Sequence, residues 1–244
     1  MRVPRAHIEA ELAAGMRVAL PEATAHHFLR VLRLPDGAAI RLFNGAPGDW
    51  HGQLIVEGKQ RASAQIESFE ASATESPLEL TLVQGISRGQ RMDYTLEKCV
   101  ELGVDHVLPV VMERTQAAPA GERIAKKARH WQGVIAAAAA QSGRTRLPSL
   151  APQSGFREWL EQADATSAPH VLLDPAGDRA PGGIAATTAL TLIAGPEGGF
   201  SPGERDAAYA AGCRGMRLGP RILRTETAAV AALALLQGLY GDLG

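Results

Sequence analysis

The sequence has only two cysteines, Cys99 and Cys213, in 244 residues. So few, so far apart, exclude both a disulfide framework and a CxxC metal signature. Long apolar runs are missing too. The longest, Val134 to Ala140 and Ala228 to Leu236, are too short to span a bilayer. Met1-Arg2-Val3-Pro4-Arg5 leads into no apolar h-region, which argues against a secretory signal. The expected location is therefore the cytoplasm, with no membrane partner and no metal. Charge of one sign is not in excess, since 25 basic and 26 acidic side chains leave a net charge of −1. Two phosphate-binding patterns are absent as well. No GxGxxG follows the first strand and no GxxxxGK[ST] occurs, so pyrophosphate cradling is not supported.

What is present suits a soluble globular chain of two domains. A hydrophobic share of 45% is ordinary, and 244 residues are comfortable for two cores. The charge is unevenly spread. Residues 85–149 hold ten basic against six acidic side chains, whereas residues 150–244 hold seven against ten. A basic middle of this kind suits either a polyanion or a solvated face.

The first seventy residues read mostly as β structure. Arg17 to Leu20 precedes a short helix, roughly Ala23 to Leu32. A Pro35-Asp36-Gly37 turn leads into the alternating strand Ala39 to Phe43. After the Asn44-Gly45 and Pro47-Gly48 loop, Gln53 to Val56 and Ala64 to Glu67 read as further strands, which together predict a small barrel over 1–70. Residues 71–77 read as a linker. From Leu78 onward strands and helices alternate. Strands are expected at Leu80–Gln84, Val107–Val111, Val171–Asp174, Leu190–Ala194 and Gly215–Leu218, and helices at Arg91–Leu102 and Gly121–Ala140. A final helix begins with Thr225 or Thr227 as its cap and runs to about Leu239. That order predicts an α/β domain over 78–244 with a mainly parallel sheet, whose ligands collect beyond the carboxyl ends of the strands. The final helix is apolar on every face, so it is expected either in a homodimer interface or at the centre of its own domain.

Two segments carry most of the chemistry. Gly195-Pro196-Glu197-Gly198-Gly199-Phe200 follows an apolar strand and precedes Ser201-Pro202-Gly203-Glu204, a capping box with proline at the first helical position. Its glycines permit positive φ and close backbone approach, and Glu197 suits a cationic ligand group. About twenty residues on, Leu218-Gly219-Pro220-Arg221-Ile222-Leu223-Arg224-Thr225-Glu226-Thr227 sets arginines among apolar residues just before a helix. Apolar side chains and free backbone groups there suit a purine, and Arg224 suits an anion. Each loop alone is more often plain turn chemistry. Their joint occurrence points to one cradle.

With Ala228, these segments resemble the RsmE family of 16S rRNA (uracil-N3)-methyltransferases, within the SPOUT superfamily. The resemblance extends over nearly the whole chain. His26-His27-Phe28-Leu29-Arg30-Val31-Leu32-Arg33 is similar to that family's PUA-like RNA-binding domain. Lys98-Cys99-Val100-Glu101-Leu102-Gly103-Val104, Gln141-Ser142-Gly143-Arg144 and the terminal Tyr240-Gly241-Asp242-Leu243-Gly244 are similar to its other motifs. One departure is Ala140, where the pattern has an acid.

The resemblance implies an N-terminal PUA-like β-barrel and a C-terminal SPOUT domain carrying a trefoil knot, a topology that general rules disfavour. It also implies bound S-adenosylmethionine, a homodimer, and a uridine of 16S rRNA in the small ribosomal subunit as target. Leu172, Leu173, Gly195, Pro196, Glu197, Gly198, Leu218, Gly219, Ile222, Leu223 and Thr225 are then the expected cofactor residues. Arg224 is the expected donor to the uracil anion, and Glu226 the base, with Glu197 as alternative. Arg30, Arg33, Arg88, Arg91, Arg144 and Arg146 are expected to contact RNA phosphates. The competing readings are a SPOUT ribose 2′-O-methyltransferase and a non-catalytic ribosome assembly factor.

Overall fold

The computed structural model describes residues 3–116, 118–178, 180–184 and 187–244. The chain divides into two compact units, one of residues up to Glu75 together with Ala139–Leu147, the other of Ser76–Ala138 and Pro148–Gly244.

The first unit contains β1 (Arg5–His7), β2 (Arg17–Ala19), α1 (Glu22–His26), β3 (Ala39–Phe43), β4 (Gly48–Val56) and β5 (Ala62–Ala71). Its sheet order is β1-β3-β4-β5-β2, with β1 parallel to β3 and the other pairs antiparallel. The inward residues of the alternating strands, Ile40, Leu42, Leu54, Ala64 and Ile66, form one core with Ala25 and Phe28. The expected short helix is present, but only its first turn is α-helical. From His27 to Val31 it widens into a π turn that keeps Phe28 buried while Arg30 and Val31 stay exposed. Arg33 follows at φ 54°, the sole non-glycine with positive φ among the described residues. A residue with a side chain is strained there.

Segment 139–147 joins this first unit through buried polar groups. Arg144 donates from Nε and Nη2 to one Glu75 oxygen, at 3.0 and 2.7 Å, and the other oxygen accepts the N–H groups of Thr145 and Arg146 at 2.7 and 3.0 Å. Arg5, stacked on Phe43, pairs with Asp49 and donates to the carbonyls of Ala139 and Arg144. Burial alone raises the Glu75 pKa, but the Arg144 guanidinium and these N–H donors outweigh it and hold the carboxyl below its ordinary value.

The second unit contains β6 (Glu79–Gly85), α2 (Gln90–Glu101), β7 (His106–Val111), most of α3 (Glu122–Ser142), β8 (Ser149–Leu150), β9 (Ser154–Gly155), α4 (Phe156–Gln162), β10 (His170–Leu173), β11 (Ala189–Ala194), α5 (Pro202–Ala210), β12 (Arg214–Met216) and α6 (Thr225–Tyr240). Its sheet runs β12-β10-β11-β6-β7-β8, with β9 also on β7, and every pair is parallel. The central strands are apolar runs, as expected when both faces are covered. Gly103 ends α2 at φ +84°, and the capping box at α5 forms in full, Glu204 N–H to Ser201 Oγ and Ser201 N–H to the Glu204 carboxylate.

The last helix departs from the expectation of burial on all sides. Within this chain α6 buries one face, Ala229, Ala232, Leu233, Leu236 and Gln237, and leaves Leu235 and Leu239 about half exposed. Its cap also differs. Arg224 holds the N-cap position with no side-chain cap bond, and Thr225 is the first helical residue. No helix among the described residues is long and apolar enough to cross a membrane, and no group of three or more His, Cys, Asp or Glu there is placed to hold a metal.

Glu75→Gln should destabilise the first unit by about 3 kcal/mol at neutral pH, since it removes the carboxylate charge that meets the buried Arg144 guanidinium. Because the folded pKa of Glu75 lies below the unfolded value, the stabilisation is complete above the ordinary value of 4.5 and lost as pH falls through the lower folded one. Urea unfolding of both proteins at neutral and acid pH measures this, and the two curves should converge in acid. Arg33→Gly should relieve the left-handed strain and leave stability unchanged or raised by up to about 1 kcal/mol in the same assay.

Candidate functional site

Beyond the carboxyl ends of β10, β11 and β12 lies a cavity of about 570 Å³. This is the position expected for ligands of an open parallel sheet, and the volume is within the range of small-molecule sites. Three segments wall it. At the end of β10 come Leu173, Asp174 and Pro175; after β11 comes the loop from Gly195 to Phe200; after β12 comes the run from Arg217 into the first turn of α6.

The loops meet because short backbone groups allow it. A Cβ on Gly85, at the end of β6, would lie 2.5 Å from the Pro196 nitrogen, so only glycine lets this strand pass the loop. The Gly195 carbonyl accepts the Thr225 hydroxyl, and the buried Gln84 amide donates to the same hydroxyl at 3.2 Å. Thr225 therefore ties the second loop to the first instead of capping its own helix. Of the first-loop glycines, only Gly199 takes a positive φ, +66°. Gly198 serves close approach, since a Cβ there would sit 2.8 Å from Arg114 Cβ. In the second loop Gly219 turns at φ +80° with open space where a Cβ would be.

Two of the cavity's acids face Arg91 of α2. Glu197 accepts the Arg88 N–H at 2.7 Å and Arg91 Nη1 at 3.2 Å, and Arg91 Nε lies 3.9 Å from Glu226. Burial works to raise the Glu197 pKa, but the Arg88 and Glu197 N–H groups and the Arg91 guanidinium prevail and lower it. The second oxygens of Glu197 and Glu226 are both buried with no hydrogen-bond partner. On the far wall Asp174 accepts the Tyr209 hydroxyl at 2.8 Å and the Ala176 N–H at 2.9 Å. Burial, then this carboxylate, pushes the Tyr209 pKa up to about 12, so the phenol stays a proton donor.

Most of the anticipated residues converge here. Leu173, Gly195, Pro196, Glu197, Gly198, Leu218, Gly219, Ile222, Leu223, Arg224, Thr225 and Glu226 all line the cavity. Leu172 does not. It packs in the sheet core with Val83 and Ile193, because its neighbour on the strand faces the other way. Arg91, expected on RNA, instead lines the cavity. Arg144, also expected on RNA, is only 4% exposed and is held by Glu75. The side chains of Arg30, Arg33, Arg88 and Arg146 are exposed. Asp174, Arg205, Met216 and Arg217 line the cavity without having been singled out. Asp174 carried a usable signal, as the first polar residue after the apolar run Val171–Leu173 of a parallel strand.

These groups fit the implied S-adenosylmethionine. Leu218, Leu223 and Met216 suit an adenine face, glycine backbone can approach closely, and the two unpartnered carboxylate oxygens suit donors or a cationic centre.

Comparison with known proteins agrees. A family model described as an RNA methyltransferase domain matches residues 74–237, and one described as an RNA methyltransferase PUA domain matches residues 20–67. The ribosomal RNA small subunit methyltransferase E of Mycobacterium bovis is 36% identical over 85% of this chain and 80% of its own length. That of Buchnera aphidicola from Schizaphis graminum is 28% identical over 99% and 98%. The structure of the Neisseria gonorrhoeae methyltransferase E bound to S-adenosyl methionine superposes with a TM-score of 0.91 at 38% identity, all of each chain being covered. A putative methyltransferase from Legionella pneumophila, in complex with the same cofactor, gives 0.94 at 34%, also over both whole chains. With a PUA-like domain ahead of a parallel α/β domain whose paired loops enclose one cavity, this chain belongs to the ribosomal RNA small subunit methyltransferase E family, S-adenosylmethionine-dependent RNA methyltransferases.

Proposed function

We propose that the protein transfers a methyl group from S-adenosylmethionine to N3 of a uridine in the 16S rRNA of the small ribosomal subunit. The observation that carries this reading is the convergence of the Gly195–Phe200 and Leu218–Glu226 segments on one cavity, in a chain that superposes end to end on a cofactor-bound methyltransferase E.

S-adenosylmethionine, when bound, supplies an electrophilic methyl group on a sulfonium. The chain's own residues do the rest. The main chain at Gly195, Gly198 and Gly219 and the side chains of Leu173, Pro196, Leu218, Ile222, Leu223 and Thr225 hold and orient the ligand, so positioning supplies much of the rate. Uracil N3 must lose a proton, and the resulting charge spreads onto its carbonyl oxygens. Glu226 takes the proton, with Glu197 as the alternative acceptor, and Arg224 donates to the anion. Support for these roles is that all three side chains line the same cavity.

RNA is placed by phosphate contacts. Arg30 and Arg33 flank exposed Val31 and Leu32 at the end of the π turn, and Arg146 is exposed in the same unit. Wide helical turns and left-handed non-glycine residues recur at functional sites, which supports this face as the one that meets RNA. Arg88 contributes a further cation. The trefoil knot belongs to the same reading, supported by the β12-β10-β11-β6 strand order and by the two loops meeting at Gly195 and Thr225. The half-exposed Leu235 and Leu239 on α6 support a homodimer through that helix, and the cytoplasm is where the substrate lies.

Purified small subunits lacking the modification, incubated with the protein and S-adenosylmethionine, should yield 3-methyluridine by nucleoside mass spectrometry. A ribose-methylated product, or binding without product, would replace this reading by one of its competitors. Arg224→Ala should lower kcat on the order of 10²–10³-fold. Light scattering at micromolar concentration should give twice the 25.7 kDa chain mass, and a Leu235→Glu/Leu239→Glu variant should run as a monomer.

A further inference from the structure

We propose that Arg91 is a positioning residue for methyl transfer, clamping Glu226 of the last helix to Glu197 of the glycine-rich loop. The inference rests on the functional reading above and adds a residue that the sequence placed on RNA.

Arg91 sits in the first turn of α2, directly after the turn in which Gly85 is pressed against Pro196 and the Arg88 N–H holds Glu197. Its Nη1 is 3.2 Å from one Glu197 oxygen and its Nε 3.9 Å from one Glu226 oxygen. Both carboxylates are largely buried, with side chains 14% exposed, and each keeps a second oxygen buried and unpartnered. One guanidinium, itself 47% exposed, thus neutralises part of two largely buried acids of like charge. A planar fork with donors on separate edges suits this bridging better than an ammonium would. An arginine serving RNA would present those donors to a phosphate. Here Nη1 and Nε are directed at carboxylates, and releasing them would leave Glu197 with only backbone N–H donors, among them that of Arg88, and Glu226 with no cation from Arg91. The geometry therefore assigns Arg91 to the proton acceptor and not to the polyanion. By holding its charge 3.9 Å from one oxygen of Glu226, it biases where the other oxygen stands relative to the uracil proton.

The test is a double-mutant cycle on the full-length protein, with unmodified small subunits and S-adenosylmethionine, reading kcat and KM separately. Arg91→Ala should lower kcat on the order of 10–100-fold, the scale of a misplaced reacting group, with the KM for subunits changed less than about threefold. Arg91→Lys should recover part of the loss, since the charge is kept. The Arg91→Ala/Glu226→Gln double variant should be no slower than Glu226→Gln alone, because a clamp has nothing left to position. Three results would overturn the proposal: a raised KM with kcat retained and a salt slope reduced by about one, which marks a phosphate contact; multiplicative losses in the double variant; or unchanged kinetics in Arg91→Ala. Failure of the functional reading looks different, since the wild-type protein would then form no 3-methyluridine at all.

Discussion

The site hangs on the carbonyl of Gly195. It directly follows an apolar strand and accepts the hydroxyl of Thr225, a residue thirty positions later, while Gln84 reinforces the contact from the neighbouring strand. Three segments distant in sequence are thereby brought within hydrogen-bonding reach. None of this closes unless backbone passes backbone without side chains between, and Gly85 against Pro196 is where that is tightest. A cavity at the end of a parallel sheet follows from the fold. That this one is walled by two particular loops follows from this contact.

Charge is handled in the same way in both units, by an arginine placed on a carboxylate that burial would otherwise disfavour. In the first unit Glu75 is fully satisfied, with guanidinium on one oxygen and backbone N–H groups on the other. Such a group holds structure and has no capacity left for chemistry. In the cavity, Glu197 and Glu226 share Arg91 and each retains an unpartnered oxygen. An incompletely satisfied buried acid is costly, and it is the state expected where a ligand or a proton is to be received.

Much of this was legible in the order of residues. The strands from Ala39 to Phe43 and from Leu190 to Ala194 announce themselves by apolar pattern, and the α5 capping box by Ser201 and Glu204. Periodicity said nothing of α4 or of the short β8 and β9, whose few residues form no pattern distinguishable from loop. Thr225 looked like a cap because threonine before an apolar run usually is one. Instead its hydroxyl accepts from the Gln84 amide and donates to the Gly195 carbonyl, and Arg224 takes the cap position. Leu172 and Leu173 show the period of two at work, since adjacent leucines on one strand face core and cavity respectively.

The amino-acid sequence by itself determined the two-part organisation, the parallel α/β character of the second unit and the membership of both glycine-bearing loops in one site. Those depend on local pattern and on motifs whose spacing survives without coordinates. Only the tertiary structure decided what each arginine meets. Arg144 and Arg91 are indistinguishable from Arg30 in sequence, yet one is buried on Glu75 and another shared between Glu197 and Glu226. The reason is physical: a guanidinium's role is set by the nearest acceptor in space, and those acceptors lie 69 residues from Arg144 and 106 from Arg91 along the chain.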